Sequence, residues 1–577
     1  MQTLWDIVRR RAVTDPDAKA YTFLADGSAG VRSITWSQLA HRATALGETL
    51  RLQGASGQPV LLALPSGLAF VEWLFACWHA GAIIVPVSLP RHQRLKHRLK
   101  AIVADAGARF AIATTATRQR LQPDPGDTSA FTALTWIDAD AVGIPVSESP
   151  PISSAGQRVA LLQYTSGSTG TPRGVMVTHD NLVCNSALIT EASGLRAGET
   201  IAGWLPLFHD MGLIGFVLQA AYSGAHCVFM APERFLMQPW LWLQMMSDYR
   251  ACGSAAPNFA YDLCVEKISA AHKAKLDLSH WRNALNGSEP VRAATLERFA
   301  AAFAQCGFRP EAFFPCYGLA EATLFVAGPS AARRRWTRRD ADANLLDEAE
   351  TGGHVGCGHA FGDTQIAIVD PTTAMRVSSG EIGEIWLAGA SIAQGYWNNP
   401  PATAAAFGAG IAENMPTASD HKWLRTGDLG FIADGELFIT GRLRELIIVA
   451  GRNHFPTDIE SSVESADPAI ASSGAVAFSL DLDGAERLII AAEVRREYRR
   501  TAASGTARLL DPAAVRQRIR AAVVALNEVS PYEVILLSPG AVPRTTSGKV
   551  SRLGTRAAYL SRTLDLLEEM PDAQSVI

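Results

Sequence analysis

Apolar residues recur along this chain at two spacings, one typical of amphipathic helices and the other of buried strands. The run 60–64 predicts a strand, 68–80 an apolar helix, and 83–85 a second strand. Just before them, four apolar residues share one helical face: Leu39, Ala43, Leu46 and Leu50. Helices that alternate with short apolar strands indicate βαβ units and a parallel sheet, and the alternation continues to about residue 330.

The pattern changes in the second half of the chain. Residues 331–358 are rich in Arg, Asp, Ala and Gly and lack an apolar period, so they predict an insertion or loop. Short strands with turn signals follow and predict a small β subdomain: 364–369, 384–387 and 436–440. A helix–strand mixture resumes at about 442, with a helix over 515–526, and we expect a domain boundary near Gly441.

These elements predict an α/β fold. We expect a large N-terminal domain, 1–440, with two βαβ-type subdomains and the small β subdomain, followed by a small α+β C-terminal domain, 441–577. The length of 577 residues supports this division, because one hydrophobic core does not grow to that size.

Composition excludes several classes of protein. The net charge of −4 argues against general affinity for nucleic acid, and the basic cluster 333–339 favours a solvated loop over a site for an acidic partner. Eight scattered cysteines without a CxxC pair suggest neither a zinc site nor a disulfide framework. The N-terminus lacks the apolar core of a signal peptide, and the run 68–78 is short and contains Glu72. We therefore expect a soluble cytoplasmic protein and not an integral membrane protein.

The stretch 164–174, YTSGSTGTPRG, follows a strand-like apolar run at 159–162. Its bare backbone N–H groups and its hydroxyls are suited to cradle an anion, usually phosphate. It is not a GxxxxGK[ST] loop, and Pro172 prevents a helix from starting directly behind the glycines. Taken alone, this composition is equally typical of a solvent-exposed turn.

Five other stretches combine polar or glycine residues with apolar ones: 204–212 (WLPLFHDMG), 286–290 (NGSEP), 317–323 (YGLAEAT), 425–428 (RTGD) and 543–549 (PRTTSGK). Together with 164–174 they resemble the adenylate-forming superfamily of acyl-CoA synthetases, adenylation domains and luciferases, in its order and spacing over nearly the whole chain. WLPLFHDMGLIG, PCYGLAEATL, GRNHFPTDIE and the run 256–264 look like the fatty acyl-AMP ligases in particular. The insertion at 331–352 falls where that branch carries one.

The resemblance implies a role for each matching residue. The β- and γ-phosphates of ATP would lie on the loop at Thr165, Ser166, Gly167, Ser168, Thr169 and Gly170, followed by Arg173 where the family usually has Lys. Adenine would contact Tyr317, Gly318, Gly287, Ser288 and Glu289, and the ribose Asp428 and Arg442. Glu321 would hold Mg²⁺, His209 would position the acyl carboxylate, and Lys549 would contact both the carboxylate and the α-phosphate.

The resemblance also implies a C-terminal domain that rotates to bring Lys549 to the ATP, with Arg444 as the candidate hinge. Position in the matching segments suggests four residues as walls of an acyl pocket, or alternatively as ordinary core: Met237, Trp240, Phe259 and Tyr261.

The implied reaction activates a fatty acid to acyl-AMP with release of pyrophosphate. The fatty acyl-AMP ligases then load the phosphopantetheine thiol of an acyl carrier protein, and the chain has no carrier-domain serine motif after Lys549. We therefore expect a separate carrier protein. Two alternatives stay open, a fatty acyl-CoA synthetase and a non-catalytic acyl- or AMP-binding regulator. The insertion argues against the first and the intact Lys549, Glu321 and Asp428 against the second.

Overall fold

The structure, a computed structural model, describes residues 2–25, 30–89, 93–121, 130–141, 158–165, 172–330, 336–339, 353–412, 422–449, 452–482, 485–499, 508–545 and 548–567. Within these residues the fold is α/β, and the predicted fold class is confirmed. The chain forms two large sheets, whose segments interleave along the sequence, and then a small antiparallel sheet and a C-terminal α+β unit.

The larger sheet has seven strands, in the order Phe313–Pro315, Asn283–Asn286, Gly253–Ala256, Thr200–Gly203, His226–Met230, Lys19–Leu24 and Val31–Thr35. All neighbours are parallel except the last pair. Helices cross between these strands and cover them, as a parallel sheet requires: Trp240–Asp248, Asn258–Lys267 and Ala293–Phe303.

The second sheet has six strands, in the order Thr135–Asp138, Phe110–Ala113, Pro59–Ala63, Ile83–Pro86, Val159–Thr165 and Arg173–Thr178. The predicted strands at 60–64 and 83–85 and the helix at 68–80 are confirmed, the helix as Leu68–His79. The helix Trp36–Leu52 buries the predicted face, since Leu39, Ala43, Leu46 and Leu50 are 0–5% exposed.

One hydrophobic core joins the two sheets. The helix His179–Ser193 contributes Leu182 to the same cluster as Val60 of the six-stranded sheet and Ala284 of the seven-stranded sheet. The C-terminal ends of the strands therefore stay at fixed positions, and loops that follow them can carry a site with little strain.

A four-stranded antiparallel sheet follows, in the order Gln365–Val369, Gly383–Ala388, Leu424–Ala433 and Glu436–Arg442. It contains the three short strands that the turn signals predicted. A second small sheet, Tyr317–Gly318, Phe325–Gly328 and His359–Ala360, links it to the seven-stranded sheet.

The C-terminal region has its own core, because two hydrophobic clusters contain only residues from Ile447 onward. Its sheet has the strands Ile470–Leu482, Ala485–Val494 and Glu533–Leu537, beside the hairpin Ile447–Val449 and Arg452–His454. Three helices pack here: Pro456–Ala466, Pro512–Asn527 and Arg552–Leu560. The predicted helix at 515–526 is confirmed.

Most of the predicted insertion, 331–335 and 340–352, lies outside the described residues. At its described positions Arg338–Arg339 pairs as a short strand with His354–Val355. Arg338 is 7% exposed and Arg339 bonds Asp434, so this end of the basic cluster is not the solvated loop that composition favoured.

Among the helices that the structure describes, none has both the length and the apolar character needed to cross a membrane.

Candidate active site

A large cavity of about 1870 Å³ opens where the strands of the seven-stranded sheet end and reaches the C-terminal region. The loop after Asn283–Asn286 carries Gly287, Ser288 and Glu289, and Tyr317 follows Phe313–Pro315 at the same edge. Parallel strands direct their carboxyl ends to one edge of a sheet, which is where α/β proteins bind ligands. The sequence-predicted motifs therefore meet at one place.

Tyr317, Asp428 and Arg442 form a connected cluster on the cavity wall. The Tyr317 hydroxyl donates to Asp428 Oδ2 at 2.7 Å, and Arg442 Nε donates to Asp428 Oδ1 at 2.9 Å. The carboxylate of Asp428 raises the pKa of Arg442, and burial next to Asp428 raises the pKa of the Tyr317 phenol well above its usual value. Asp428 keeps free lone pairs with which it could accept bonds from a diol.

The strand segment that carries Asp428 is held by a residue that sequence reasoning missed, Glu384. This carboxylate is 2% exposed and accepts two bonds from Arg425, at 2.7 and 3.0 Å, and one from the backbone N–H of Gly427 at 3.1 Å. A buried carboxylate with this many donors fixes the segment in one conformation. The sequence contained a signal for this role, because Glu384 is the one charged residue in a predicted strand, 384–387, whose other residues are apolar.

Glu321 is fixed by a second missed residue, Tyr396. The Tyr396 hydroxyl donates to Glu321 Oε1 at 2.9 Å, and the Arg173 guanidinium lies 5.4 Å from the centre of the Tyr396 ring. Burial raises the pKa of Glu321, while the hydrogen bond from Tyr396 opposes that shift. A partly buried carboxylate at the cavity wall is suited to a cation, which relieves the cost of burying its charge.

Glycines bring the backbone close together beneath this wall. A Cβ on Gly318 would lie 1.9 Å from the carbonyl oxygen of Leu324, and one on Gly287 would lie 2.8 Å from that of Cys316. Ser288 adopts a φ of +73°, and Asn258 bonds Glu289 Oε1 through its backbone N–H at 2.9 Å and its amide at 3.0 Å. Glycine is therefore required at positions 287 and 318, because any side chain would collide with the neighbouring backbone.

His209 and Lys549 lie at the other side of the cavity. His209 Nδ1 is 2.6 Å from Asp210 Oδ1, and the nearby imidazole helps to lower the pKa of Asp210 against the opposing effect of burial. Lys549 arrives from the C-terminal region and is partly buried. Burial lowers the pKa of Lys549, and the carboxylates of Asp210 and Glu289 partly offset that effect.

The phosphate-type loop connects two antiparallel strands, because Thr165 pairs with Arg173 across the hairpin. Both of these residues line the cavity. The other loop residues that sequence analysis singled out, Ser166, Gly167, Ser168, Thr169 and Gly170, lie outside the described residues. A strand–loop–helix phosphate site leads from a strand into a helix, whereas this loop joins two strands of a hairpin. Pro172 is consistent with the hairpin, because it prevents a helix from starting directly behind the glycines.

The predicted acyl wall needs correction. Phe259 lines the cavity and packs against Gly548, where an added Cβ would lie 3.0 Å from its ring. The other three face elsewhere, because Met237 is 71% exposed, Trp240 stacks on His272 at 4.7 Å, and Tyr261 is fully buried with its hydroxyl bonded to Leu285. Spacing in a motif did not reveal which side of each helix meets the cavity.

Arg444, the candidate hinge, is exposed in the short 3-10 turn Leu443–Glu445 that links the four-stranded sheet to the C-terminal core. Side-chain hydrogen bonds are among the contacts that join the two parts of the chain. Arg292 bonds Glu464 at 2.7 Å, and Ser472 bonds Asp262 at 3.0 Å.

Within the described residues no group of three or more metal-type ligands occurs. Glu321 alone would therefore need phosphate oxygens and water to complete a Mg²⁺ shell.

Comparison with known proteins agrees with this geometry. A family described as AMP-binding enzyme matches residues 8–397, and one described as Disco-interacting protein 2-like, AMP domain matches 444–569. The chain is 39% identical to the medium-chain-fatty-acid–acyl-carrier-protein ligase JamA of Moorena producens, over 98% of this chain and 96% of JamA. It is 35% identical to the long-chain-fatty-acid–AMP ligase FadD26 of Mycobacterium tuberculosis, over 96% and 97%.

Among solved structures, the fatty acyl-adenylate ligase from Legionella pneumophila, in complex with acyl adenylate and pyrophosphate, is 34% identical. It aligns with a TM-score of 0.73 over 98% of this chain and 97% of that one. The fold and the site thus define an adenylate-forming ligase. The chain belongs to the AMP-binding enzyme family, as one of its fatty acyl-AMP ligases.

Proposed function

We propose that the enzyme activates a fatty acid with ATP to acyl-AMP and then transfers the acyl group to the phosphopantetheine thiol of a separate acyl carrier protein. One observation carries the first step. Lys549, from the C-terminal region, reaches the cavity that also contains the Tyr317–Asp428–Arg442 cluster and Glu321. This arrangement brings a positive charge to the place where two anions have to meet.

The chemistry needs that charge, because a carboxylate must attack the α-phosphorus of ATP while pyrophosphate leaves. In this proposal Lys549 binds the carboxylate and the α-phosphate together and stabilises the charge that develops between them. His209, held by Asp210, positions the carboxylate and does not act as a base, because a fatty acid is already ionised at neutral pH. Partial burial of Lys549 strengthens its interaction with both anions.

The nucleotide is held by the opposite wall. Adenine packs beside Tyr317 and the glycine backbones, and Asp428 accepts the ribose hydroxyls while Arg442 keeps its carboxylate oriented. Thr165, Arg173 and the hydroxyl-rich loop between them bind the β- and γ-phosphates. Glu321 would hold Mg²⁺, which would supply positive charge to the phosphates when bound.

For the second step we propose a carrier protein rather than CoA. The support is the relative JamA, which is named as a ligase of fatty acids to acyl carrier protein and matches almost the whole chain. Because Lys549 lines the cavity in which the acyl-AMP would form, we also propose that residues 441–577 form a domain that moves about Arg444 to admit the thiol. Cytoplasmic location stays a prediction, which cell fractionation tests.

The deciding experiment incubates the purified protein with ATP, Mg²⁺ and fatty acids of graded length, with either CoA or a phosphopantetheinylated carrier protein. Mass spectrometry identifies the products. Acyl-AMP that passes to the carrier and not to CoA supports the whole proposal. Efficient acyl-CoA formation contradicts the second step only, and absence of pyrophosphate release with every acid indicates a non-catalytic binding protein.

The Lys549→Ala variant tests the first step directly. We expect adenylation to fall roughly 10²- to 10³-fold, the scale of losing one preorganised charge donor. Exchange of pyrophosphate into ATP measures this step, and Lys267→Ala, which removes an exposed lysine, is the matched control. An exchange rate equal to wild type in Lys549→Ala would remove the assigned role.

A further inference from the structure

The helix Gln93–Ala106 covers one face of the six-stranded sheet. It follows the strand Ile83–Pro86 and leads to Phe110–Ala113, and both of these strands are parallel to Pro59–Ala63. A crossover between parallel strands must return to the edge where the first strand began, so the helix runs antiparallel to the strands. Its first turns therefore lie at the carboxyl ends of the strands, the edge at which Ser88 lines the cavity.

Arg98 lies on the side of this helix that packs against the sheet. Ile102 and Asp105 follow Arg98 by four and seven residues and so share its face. Ile102 is buried in one cluster with Tyr164, and Asp105 accepts a hydrogen bond from the Tyr164 hydroxyl at 2.6 Å. Seven residues span about 10 Å of helix, so Arg98 lies about that far beyond Asp105 toward the carboxyl ends of the strands. Thr165 ends its strand in the same direction, and both residues line the cavity.

The Arg98 guanidinium is open to the cavity. Arg98 is half-buried, and it lines the cavity together with Ser88, Thr165 and Arg173. Among the described residues, none forms a hydrogen bond or an ion pair with Arg98. The described polar atoms that lack a partner and are sealed from solvent do not include its nitrogens, which therefore keep accessible surface. A ligand in the cavity can reach them.

A cation in this position needs an anion. Burial lowers the pKa of Arg98, and no carboxylate opposes that effect within the described part of the chain. Arg425 and Arg442, which also line the cavity, differ from Arg98 because each forms an ion pair with a carboxylate. A guanidinium stays charged all the same, and it binds phosphate through parallel N–H bonds. A phosphate-bearing ligand would supply the missing negative charge.

We propose that Arg98 is a phosphate-binding residue that, with Thr165 and Arg173, holds the two terminal phosphates of ATP and then the pyrophosphate that they become. This inference rests on the proposed adenylation of a fatty acid, and it adds the group that receives the leaving charge. In that step a carboxylate oxygen bonds to the α-phosphorus, the bond from this phosphorus to the bridging oxygen breaks, and the electron pair stays on pyrophosphate. A guanidinium at the terminal phosphates stabilises this charge as it develops.

The test measures the binding of two ligands by isothermal titration calorimetry. One is magnesium pyrophosphate, and the other is AMP, which lacks the terminal phosphates. We expect Arg98→Gln to bind pyrophosphate roughly 10- to 100-fold more weakly than wild type, the scale of losing charge-assisted hydrogen bonds. AMP binding should stay unchanged, which also shows that the variant is folded. An equal loss of AMP binding would overturn the inference, because the effect would then not be specific to the terminal phosphates.

Two more variants complete the comparison. Arg98→Lys keeps the charge without the planar fork, so it should weaken pyrophosphate binding by roughly threefold or more, but less than Arg98→Gln does. It also serves as the test if Arg98→Gln does not fold, and binding equal to wild type then counts against the inference. Arg120→Gln removes an exposed arginine outside the cavity and is the matched control, which should bind pyrophosphate as wild type does.

The phosphopantetheine arm also contains a phosphate, so transfer from purified acyl-AMP to the carrier protein is measured in parallel. We expect Arg98→Gln to leave the KM for the carrier unchanged. Unchanged pyrophosphate binding overturns the inference, and a raised KM for the carrier would then assign Arg98 to the arm. If wild-type enzyme forms no acyl-AMP with any acid, the proposed function fails, while the calorimetry still decides whether Arg98 binds pyrophosphate.

Discussion

The Arg292–Glu464 ion pair provides a sharp test of the proposed domain movement. Arg292 follows the glycine loop of the seven-stranded sheet, and Glu464 lies on the C-terminal helix Pro456–Ala466. Their side chains are 27% and 13% exposed, and the N–O distance is 2.7 Å. The pair therefore holds the C-terminal region in the position that brings Lys549 to the cavity.

The Glu464→Gln variant keeps the side-chain volume but removes the charge opposite Arg292. A charge-assisted hydrogen bond contributes roughly 1.5–3 kcal/mol, and a glutamine oxygen would retain part of it. We take about 1.5 kcal/mol as the loss, which corresponds to about a tenfold shift away from the closed position. In the proposed movement, the closed position would serve adenylation and the open one would serve transfer to the thiol.

Two separate assays follow from this difference. Exchange of pyrophosphate into ATP should fall roughly 5- to 10-fold in Glu464→Gln. The tenfold value applies if the whole shift of the equilibrium between closed and open positions appears in the exchange rate. Transfer from purified acyl-AMP to the carrier thiol should not fall. Glu528→Gln is the matched control, because its exposed partner Arg452 lies within the same C-terminal region. Equal slowing of both steps, or no change in either, would refute the reasoning.

Two further predictions concern the nucleotide wall. Tyr396→Phe removes the donor that favours ionised Glu321, so the pKa of Glu321 should rise further and the acid limb of the pH–rate profile should move to higher pH. An unmoved limb would separate Glu321 from the ionisation that limits activity. Gly318→Ala should lower the free energy of unfolding in urea by about 2 kcal/mol or more, since its Cβ would meet the oxygen of Leu324. Gly410→Ala, with open space around it, should not, and equal values would contradict the steric argument.

Much of the fold was readable from local pattern. Apolar periodicity located the strands at 60–64 and 83–85 and the helix between them, because burial on one or both faces leaves a direct trace in residue order. The motifs around Tyr317, Asp428 and Lys549 likewise identified an adenylate-forming enzyme, through their resemblance to that superfamily in order and spacing.

The partners of those residues were decided only by the tertiary structure. Tyr396 reaches Glu321 from 75 residues away, and Glu384 holds Arg425 from 41. No local spacing records such contacts, because they depend on the register of paired strands and on which way each side chain leaves its helix. The same physical reason moved Met237 to the surface and Tyr261 into the core. The sequence thus determined the class of chemistry. The packing of distant elements determined which side chains hold the site residues in position.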